Sequence, residues 1–258
     1  MVDSVRLDEL SWPEFAQKVA AGAPVFLPLG STEQHGPHLP LGVDVVLPTG
    51  VCERVAREIG GIVAPTVNYG CKSMPRSGGG EQFPGTLSLD ANTFALMLRD
   101  VIRNLGRQGV RRLVIVNGHY ENLWPSVEGL DLALRELRRD GITDMQVMRL
   151  EYWDFATRPT LDQLFPDGFP GIELEHASLL ETSLMLLFRP DLVEMDKVPT
   201  DGPATFPTYD KFPVPDDFGL PPSGVLAVAV GSTAEKGELL MADYLARISA
   251  AIRKEFGR

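Results

Sequence analysis

The sequence predicts a single α/β domain in which a mostly parallel β-sheet is flanked by helices. Short apolar runs bounded by glycine or proline alternate along the chain with segments whose apolar residues recur at helical spacing. Strands that alternate with helices are typical of a parallel sheet. The 258 residues are 44% hydrophobic, which is enough for one sizeable core. Because no repeat or clear boundary divides the chain, we expect one domain over residues 1–258.

Five segments are predicted to be strands because they are short, apolar and bounded by turn residues. In chain order they are residues 23–30, 62–65, 112–117, 145–150 and 225–230. The first ends in a turn at Gly30, and the third is the clearest and ends at Gly118 and His119.

Five helices are predicted from apolar residues at helical spacing. They cover approximately residues 48–59, 91–105, 123–137, 179–188 and 235–256. Pro48 suits the first turn of its helix, and Asp90 is a good N-cap for the second. The Arg189-Pro190 pair ends the fourth.

A proline-rich segment separates the fourth and fifth predicted strands. Eleven of the 21 prolines lie between Pro159 and Pro222. The segment is expected to be ordered, because four aromatic residues in it need burial. They are Phe206, Tyr209, Phe212 and Phe218. We expect this segment to cover a functional site or to form an oligomer contact.

Composition excludes several classes of partner. The chain has 24 basic and 35 acidic residues, a net charge of −11, and no cluster of basic residues, which argues against nucleic acid or an anionic membrane surface. Cys52 and Cys71 form no CxxC pair, which favours free thiols in a reducing compartment. No signal-peptide pattern begins the chain, and no apolar run approaches the roughly 20 residues that span a bilayer. The predicted location is cytoplasmic.

Each of the four histidines lies within a few residues of a carboxylate. His35 and His38 are near Glu33 and Asp44, His119 is near Glu121, and His176 follows Glu175. Imidazole with carboxylate is the ligand set that zinc and manganese accept in reactive sites. Two of these clusters follow predicted strands, where ligands collect in parallel sheets. The sequence therefore predicts a metal-dependent enzyme.

Five of these side chains are candidate metal ligands. Glu33 with His35, and His119 with Glu121, repeat one pairing of ligand types, and Asp44 adds a fifth ligand. Each pair alone is more often a hydrogen-bonded or capping pair than a metal site. Together they are enough for two ions if one carboxylate bridges, and two such ions lower the pKa of a shared water and polarise a substrate oxygen.

Other candidate residues have both a structural and a functional interpretation. Glu175-His176 is either a solvated surface pair or a mobile general acid and base with a pKa near neutrality. The turn at residues 77–80, Ser-Gly-Gly-Gly, is either a flexible connection or a loop whose amides approach a small polar ligand. Tyr120 and Trp153 are, by default, core aromatics.

Long motifs resemble the creatininase family of metal-dependent amidohydrolases. The signature is Glu-Gln-His-Gly-Pro-His-Leu-Pro-Leu-Gly-Val-Asp at 33–44. Further matches are Phe-Pro-Gly-Thr at 83–86, Asn-Gly-His-Tyr-Glu-Asn at 117–122, and His176 followed by Glu-Thr-Ser-Leu-Met at 181–185. The resemblance covers nearly the whole chain. It implies one α/β domain, two divalent ions (zinc or manganese) per chain and a homohexamer.

The resemblance also implies roles for individual residues. Glu33, Asp44 and His119 would hold one metal, and His35, Asp44 and Glu121 the other, with Asp44 bridging. His176 would transfer the proton, and Glu121 would also take part in catalysis. Ser77, Tyr120, Trp153 and Glu175 would contact the substrate.

The implied activity is hydrolysis of a small cyclic amide, with creatinine to creatine as the leading case. A metal-bound hydroxide would attack the ring carbonyl, and His176 would protonate the leaving nitrogen. The creatinine-cleaving members of the family have a tryptophan just before the catalytic Glu-His, where this chain has Ile172. Another cyclic amide or ureide, or a formamide as in a related deformylase, is therefore the alternative substrate. A non-catalytic metal-binding or assembly protein is a further alternative, and it would tolerate loss of His176.

Overall fold

A four-stranded parallel sheet forms the centre of the molecule. The computed structural model describes residues 4–215 and 218–257. The strands are β1 (Val25–Leu29), β2 (Ile62–Val63), β3 (Arg112–Asn117) and β4 (Gln146–Glu151). Their order across the sheet is β2-β1-β3-β4, and all neighbours are parallel. The predicted mostly parallel sheet is confirmed.

Helices cover both faces of this sheet. They are α1 (Trp12–Ala20), α2 (Val43–Ile59), α3 (Pro75–Gly78), α4 (Ala91–Arg107), α5 (Leu123–Arg139), α6 (Arg158–Leu164), α7 (Leu179–Phe188) and α8 (Ala234–Phe256). Short 3₁₀ turns lie at Leu7–Glu9, Tyr120–Asn122, Tyr152–Phe155, Ile172–Leu174, Pro190–Leu192 and Met195–Lys197. All five predicted helices are present, whereas α1, α3 and α6 were not predicted from the sequence. None of these helices has an apolar stretch long enough to cross a bilayer.

The side chains of alternate strand residues belong to two separate hydrophobic cores. Phe26 and Val114 point to the face that α2, α7 and α8 cover, while Leu27 and Ile115 point to the face that α4 covers. Side chains of successive strand residues point to opposite faces, so covering both faces requires the apolar runs that the sequence shows.

The helix α2 begins five residues earlier than the position of Pro48 predicts. It starts at Val43, so that Asp44 lies in its first turn and Pro48 lies inside the helix. Proline cannot donate a backbone hydrogen bond to the carbonyl four residues before it, which here is that of Asp44. That carbonyl packs against Gly30 and Gly118, at which a Cβ atom would lie 2.5 Å and 3.0 Å from its oxygen. The two glycines therefore bring α2 close to the ends of β1 and β3.

Residues 225–230 are not a strand, which corrects the sequence prediction. Their backbone groups pair with irregular segments: Leu226 donates to the carbonyl of His176 (3.2 Å) and accepts from Ala204 (2.8 Å). Val228 and Val230 are more than half exposed. The apolar run therefore packs beside His176 rather than extending the sheet.

The proline-rich segment is ordered only partly as its aromatic residues predict. Phe218 is buried, and its ring centroid lies 5.7 Å from that of Phe206. Tyr209 and Phe212, in contrast, are 66% and 71% exposed, so the expectation that all four are buried is wrong.

Candidate active site

Candidate ligands meet at one edge of the sheet. β1 and β3 are parallel neighbours and end side by side. The loop after β1 carries Glu33 and His35, and the loop after β3 carries His119 and Glu121. Asp44 reaches the same place from the first turn of α2. All five predicted ligands thus lie near one another, although they are up to 88 positions apart in the chain (121 − 33).

Asn122 joins the loops around this edge. Its side-chain amide donates to the carbonyl of Gly30 (3.1 Å), and its carbonyl oxygen accepts from the backbone N–H of Cys71 (2.8 Å). The side chain is fully buried. Asn122 belongs to the motif at 117–122, but its structural role depends on partners distant in sequence and is absent from the predicted site.

Glu33, Asp44 and His119 form the first group of candidate ligands. Nδ1 of His119 lies 3.0 Å from Glu33 Oε2 and 3.0 Å from Asp44 Oδ2. Nε2 of the same ring lies 2.9 Å from the carbonyl oxygen of Cys71, which can only accept a hydrogen bond. With the proton of a neutral ring on Nε2, the lone pair of Nδ1 faces two carboxylates, which is the arrangement of a metal ligand.

His35, Asp44 and Glu181 form the second group. His35 Nδ1 is 3.1 Å from the carbonyl oxygen of Glu33, so that in a neutral ring Nε2 carries the lone pair. This Nε2 lies 3.1 Å from Asp44 Oδ1 and 3.6 Å from Glu181 Oε2. Among the described residues it has no hydrogen-bond partner, although it is buried. Asp44 thus presents one oxygen to each group.

Glu181 is absent from the predicted ligands. It lies near the start of α7, whose other residues are apolar except Thr182 and Ser183, and its carboxylate accepts a hydrogen bond from the N–H of Ala177 (2.6 Å). A lone carboxylate among the buried residues of an apolar helix is the signal that could have identified it.

Glu121 lies on the other side of His119. Its Oε2 is 3.3 Å from Nε2 of that ring and is buried without a hydrogen-bond partner among the described residues. Its Oε1 accepts from the N–H of Met74 (2.8 Å) and from the hydroxyl of Ser77. The structure therefore brings Glu181, rather than Glu121, into one group with His35 and Asp44.

The donor set fits divalent ions. The carboxylates of Glu33, Asp44 and Glu181 converge on the imidazoles of His35 and His119, and that of Glu121 approaches His119 from the other side. Glu33 and Asp44 are buried, and Glu121 and Glu181 are partly buried. Uncompensated carboxylates are costly to bury, and ions such as zinc or manganese accept this combination of oxygen and nitrogen ligands. The unpartnered Nε2 of His35 and Oε2 of Glu121 are the buried atoms that a cation would satisfy.

The pKa shifts reflect the same crowding of charges. Burial opposes the charged form of His35, but the carboxylates of Asp44 and Glu181 outweigh burial and raise its pKa to about 10. Burial raises the pKa of Glu181 to about 7, although His35 opposes this. The pKa of Asp44 falls well below its usual range despite burial, because both His35 and His119 stabilise its charge. The carboxylates thus attract positive charge strongly into this site.

His176 and Glu175 lie above the ligands, not on the surface. Burial and the charge of His35 lower the pKa of His176 to about 3, and the two rings lie 4.2 Å apart between centroids. Burial raises the pKa of Glu175 to about 8, and its Oε2 accepts from the N–H of Leu180 (2.9 Å). The interpretation of this pair as a solvated surface pair is therefore wrong.

One cavity connects the predicted site residues. Its lining includes Glu33, Asp44, Ser77, His119, Tyr120, Glu121, Trp153, Glu175 and His176. His35 lies beneath, almost fully buried. Tyr120 is half exposed at this cavity, so it is not a core aromatic, and Ile172 also lines the wall. His38 is apart from both ligand groups and pairs with the hydroxyl of Thr182 (3.0 Å).

Comparison with known proteins identifies the family. The creatininase family profile, described as creatinine amidohydrolase, matches residues 8–252. The chain belongs to the creatininase family. It is 52% identical to a creatinine amidohydrolase of Pseudomonas putida over 258 residues, which cover 99% of each chain. A mycofactocin precursor peptide peptidase of Mycobacterium ulcerans is 31% identical over 93% of this chain and 88% of its own length.

Three solved structures show the same fold. They are a manganese form of creatininase, a creatininase variant of the Zn–Zn type and a creatininase variant complexed with creatine. Each superposes with a TM-score of 0.96 and covers 99% of this chain and 100% of its own. Their sequence identities to this chain are 50%, 50% and 49% in that order. The expected creatininase-like single-domain α/β fold is confirmed.

Proposed function

We propose that this creatininase family member is a metal-dependent hydrolase that opens a small cyclic amide, with creatinine to creatine as the leading reaction. The observation that carries the proposal is Asp44, whose two oxygens face the lone pairs of His35 and His119. The 52% identity to a creatinine amidohydrolase over the full length supports the substrate. The family profile, which matches residues 8–252, supports one amidohydrolase domain over residues 1–258.

Two divalent ions, zinc or manganese, complete the proposed site. Glu33, Asp44 and His119 would hold one, and His35, Asp44 and Glu121 the other. Glu181 lies within reach of the second site, 3.6 Å from His35. Ions held there would supply Lewis-acid chemistry, activating water and polarising the amide oxygen of a substrate. Solved relatives with manganese and with zinc support this choice.

The residues of the chain divide the remaining work. His176, held at the cavity wall, takes a proton from the attacking water and delivers it to the leaving nitrogen. Glu121, anchored by Ser77 and Met74, keeps one carboxylate oxygen directed into the site. His176 and the free oxygen of Glu121 are buried away from water, which strengthens their electrostatic effect on the developing charge.

Four further residues are proposed to bind the substrate. Ser77, Tyr120, Trp153 and Glu175 all line the cavity. Tyr120 and Trp153 offer aromatic faces to a flat ring. Burial keeps Glu175 protonated around neutral pH, so its carboxyl group can donate a hydrogen bond to the substrate.

We also propose a homohexamer in the cytoplasm. Exposed aromatic side chains such as Trp124 and Phe212 are of the kind that a subunit contact covers. The two cysteines are both free, which supports a reducing compartment.

A turnover screen tests the proposed function. Protein loaded with zinc or manganese is incubated with creatinine, other cyclic amides and ureides, and a formamide, and product is measured chromatographically. The proposal expects creatinine to be opened and activity to disappear after chelation. Hydrolysis of another cyclic amide without creatinine turnover would support the alternative substrate. Metal binding without hydrolysis of any of them would support a non-catalytic protein.

A further inference from the structure

The side chain of Gln34 has no free hydrogen-bond donor. Its amide nitrogen donates to the carbonyl oxygens of Gly78 (3.0 Å) and Gly224 (2.9 Å), and its Oε1 accepts from the N–H of Gly36 (2.8 Å). The side chain is buried between three loops. Exchanging its oxygen and nitrogen would place an oxygen against two carbonyls and an NH₂ group against an N–H. This orientation of the amide is therefore the one its partners require.

The contacts of Gln34 determine which nitrogen of His176 carries the proton. Nε2 of His176 lies 3.0 Å from the side-chain nitrogen of Gln34 and 2.9 Å from its backbone carbonyl oxygen. The side-chain nitrogen of Gln34 already donates both of its hydrogens and has no lone pair with which to accept. Its contact with Nε2 of His176 is therefore not a hydrogen bond. The carbonyl oxygen can only accept. Nε2 of His176 must therefore donate, because an unprotonated Nε2 would place two lone pairs together in a buried site.

The other nitrogen of His176 is then available for chemistry. A neutral imidazole has one N–H and one acceptor nitrogen, so the lone pair lies on Nδ1. Nδ1 makes no hydrogen bond to any described residue, and the ring lines the cavity with Asp44, Ser77 and Glu121. We propose that Gln34 is a positioning residue that holds His176 as the Nε2–H tautomer, so that Nδ1 is the atom that exchanges the proton with water and substrate. This proposal rests on the proposed function.

The place of Gln34 in the chain explains why this residue can position His176 relative to the metal ligands. Gln34 lies between the two proposed ligands Glu33 and His35, so its carbonyl moves with the metal loop. Its side chain also holds the loop of Gly78, next to Ser77, and the segment of Gly224. A Cβ atom at Gly224 would lie 2.4 Å from Gln34 Oε1, which shows how closely the backbone encloses this amide. One side chain thus contacts the loop next to Ser77, the segment of Gly224 and the ring of His176, and it lies in the loop that carries Glu33 and His35.

Nitrogen NMR of the zinc-loaded protein measures the tautomer directly. Because the chain has only four histidines, ¹⁵N-histidine labelling gives four ring patterns. Loss of one pattern in His176→Ala assigns it. Long-range ¹H–¹⁵N correlation is expected to show a protonated-type shift at Nε2 and an unprotonated-type shift at Nδ1 of His176, without substrate present. The opposite pattern, or a ring protonated on both nitrogens at neutral pH, would overturn the proposal.

Gln34→Met tests the positioning role of the side chain, because it keeps the length and removes all three hydrogen bonds. We expect about two zinc ions to remain, the His176 shifts to move toward exchange between tautomers, and kcat to fall at least about tenfold, a part of what positioned proton transfer contributes. Thr182→Val is the matched control: it removes the partner of His38 and should move the signals of His38 but not those of His176.

The outcomes separate this proposal from the proposed function. The expected tautomer in a protein that hydrolyses no amide would leave the positioning role intact and refute the function. Amide hydrolysis by a protein with the opposite tautomer would support the function and refute the positioning role. Unchanged shifts and kcat in folded Gln34→Met would show that the side chain does not position His176. If that variant does not fold, the spectrum of the unaltered protein still decides the tautomer.

Discussion

Asp44 Oδ2 lies 3.0 Å from Nδ1 of His119, the nitrogen that has the lone pair in a neutral ring because Nε2 faces the carbonyl of Cys71. A carboxylate oxygen and an unprotonated nitrogen at this distance repel each other unless a proton or a metal ion lies between them. The other oxygen of Asp44 has the same relationship with His35. Asp44 therefore presents one oxygen to each ligand group, which supports the proposal that it bridges two ions.

Asp44→Ala is expected to lower the occupancy of both ions, because each oxygen of the carboxylate faces a different ligand group. Elemental analysis should find about two divalent ions per chain before the substitution, as in a bridged site. The control is Asp154→Ala, which removes an exposed carboxylate outside both groups and should leave the metal content unchanged. Full occupancy without Asp44 would rule out the bridge.

His176→Ala is expected to retain metal and lose most turnover, since a positioned proton-transfer group contributes about 10²–10⁴-fold. The measurements are steady-state kinetics and elemental analysis on the same preparation. Unchanged turnover would show that the proton takes another route. Loss of metal would show instead that His176 is a ligand, which its position near Glu33 and His35 also permits.

Ile172→Trp is expected to lower the KM for creatinine about threefold to tenfold. An aromatic face against a flat ring contributes on the order of 0.5–1.5 kcal/mol, and about 1.4 kcal/mol corresponds to a factor of ten. Ile172 lines the cavity, so the new ring would face the substrate. Ile172→Leu controls for a change of shape alone and should leave KM nearly unchanged. An equal effect of both variants would contradict the stacking explanation.

Glu175→Gln is expected to stabilise the metal-free protein increasingly as pH rises from about 5 to 8. Burial raises the pKa of Glu175 from 4.5 to about 8. Below pH 4.5 the carboxyl group is neutral in both folded and unfolded chains, and above it the unfolded chain ionises first. The folded protein therefore loses stability progressively until the pH passes the folded-state pKa of about 8.

Thermal unfolding of Glu175→Gln and of the unaltered protein at several pH values in this window checks the effect. Glutamine does not ionise, and its amide oxygen can still accept from the N–H of Leu180. Glu173→Gln, in the same segment, is the control and should follow the unaltered protein. A difference in Tm that is constant with pH would show that Glu175 is ionised in the folded chain throughout.

Much of the fold follows from local sequence patterns. The strand at residues 112–117 and the helix at residues 179–188 have the predicted bounds. Such segments are predictable because spacing of apolar residues and breakers at the ends act within a few residues. The same local rules predicted a helix start at Pro48 and a strand at residues 225–230, and the structure differs from both predictions. In both cases distant partners decide the structure, the loops at Gly30 and Gly118 for the first and His176 for the second.

The sequence by itself determined which side chains can carry the chemistry. Ligand type belongs to the residue, and motifs such as those at 33–44 and 117–122 place histidine and carboxylate after strands that must end at one edge of a parallel sheet. These two facts require no knowledge of distant contacts.

Only the tertiary structure decided which atoms face each other. The carbonyl of Cys71, 48 residues before His119, sets the tautomer of the His119 ring. Gln34, 142 residues before His176, sets the tautomer of the His176 ring. Glu181 likewise reaches His35 only because α7 packs against α2. A hydrogen-bond direction depends on distances of a few tenths of an ångström between segments far apart in the chain, and no local pattern encodes those distances.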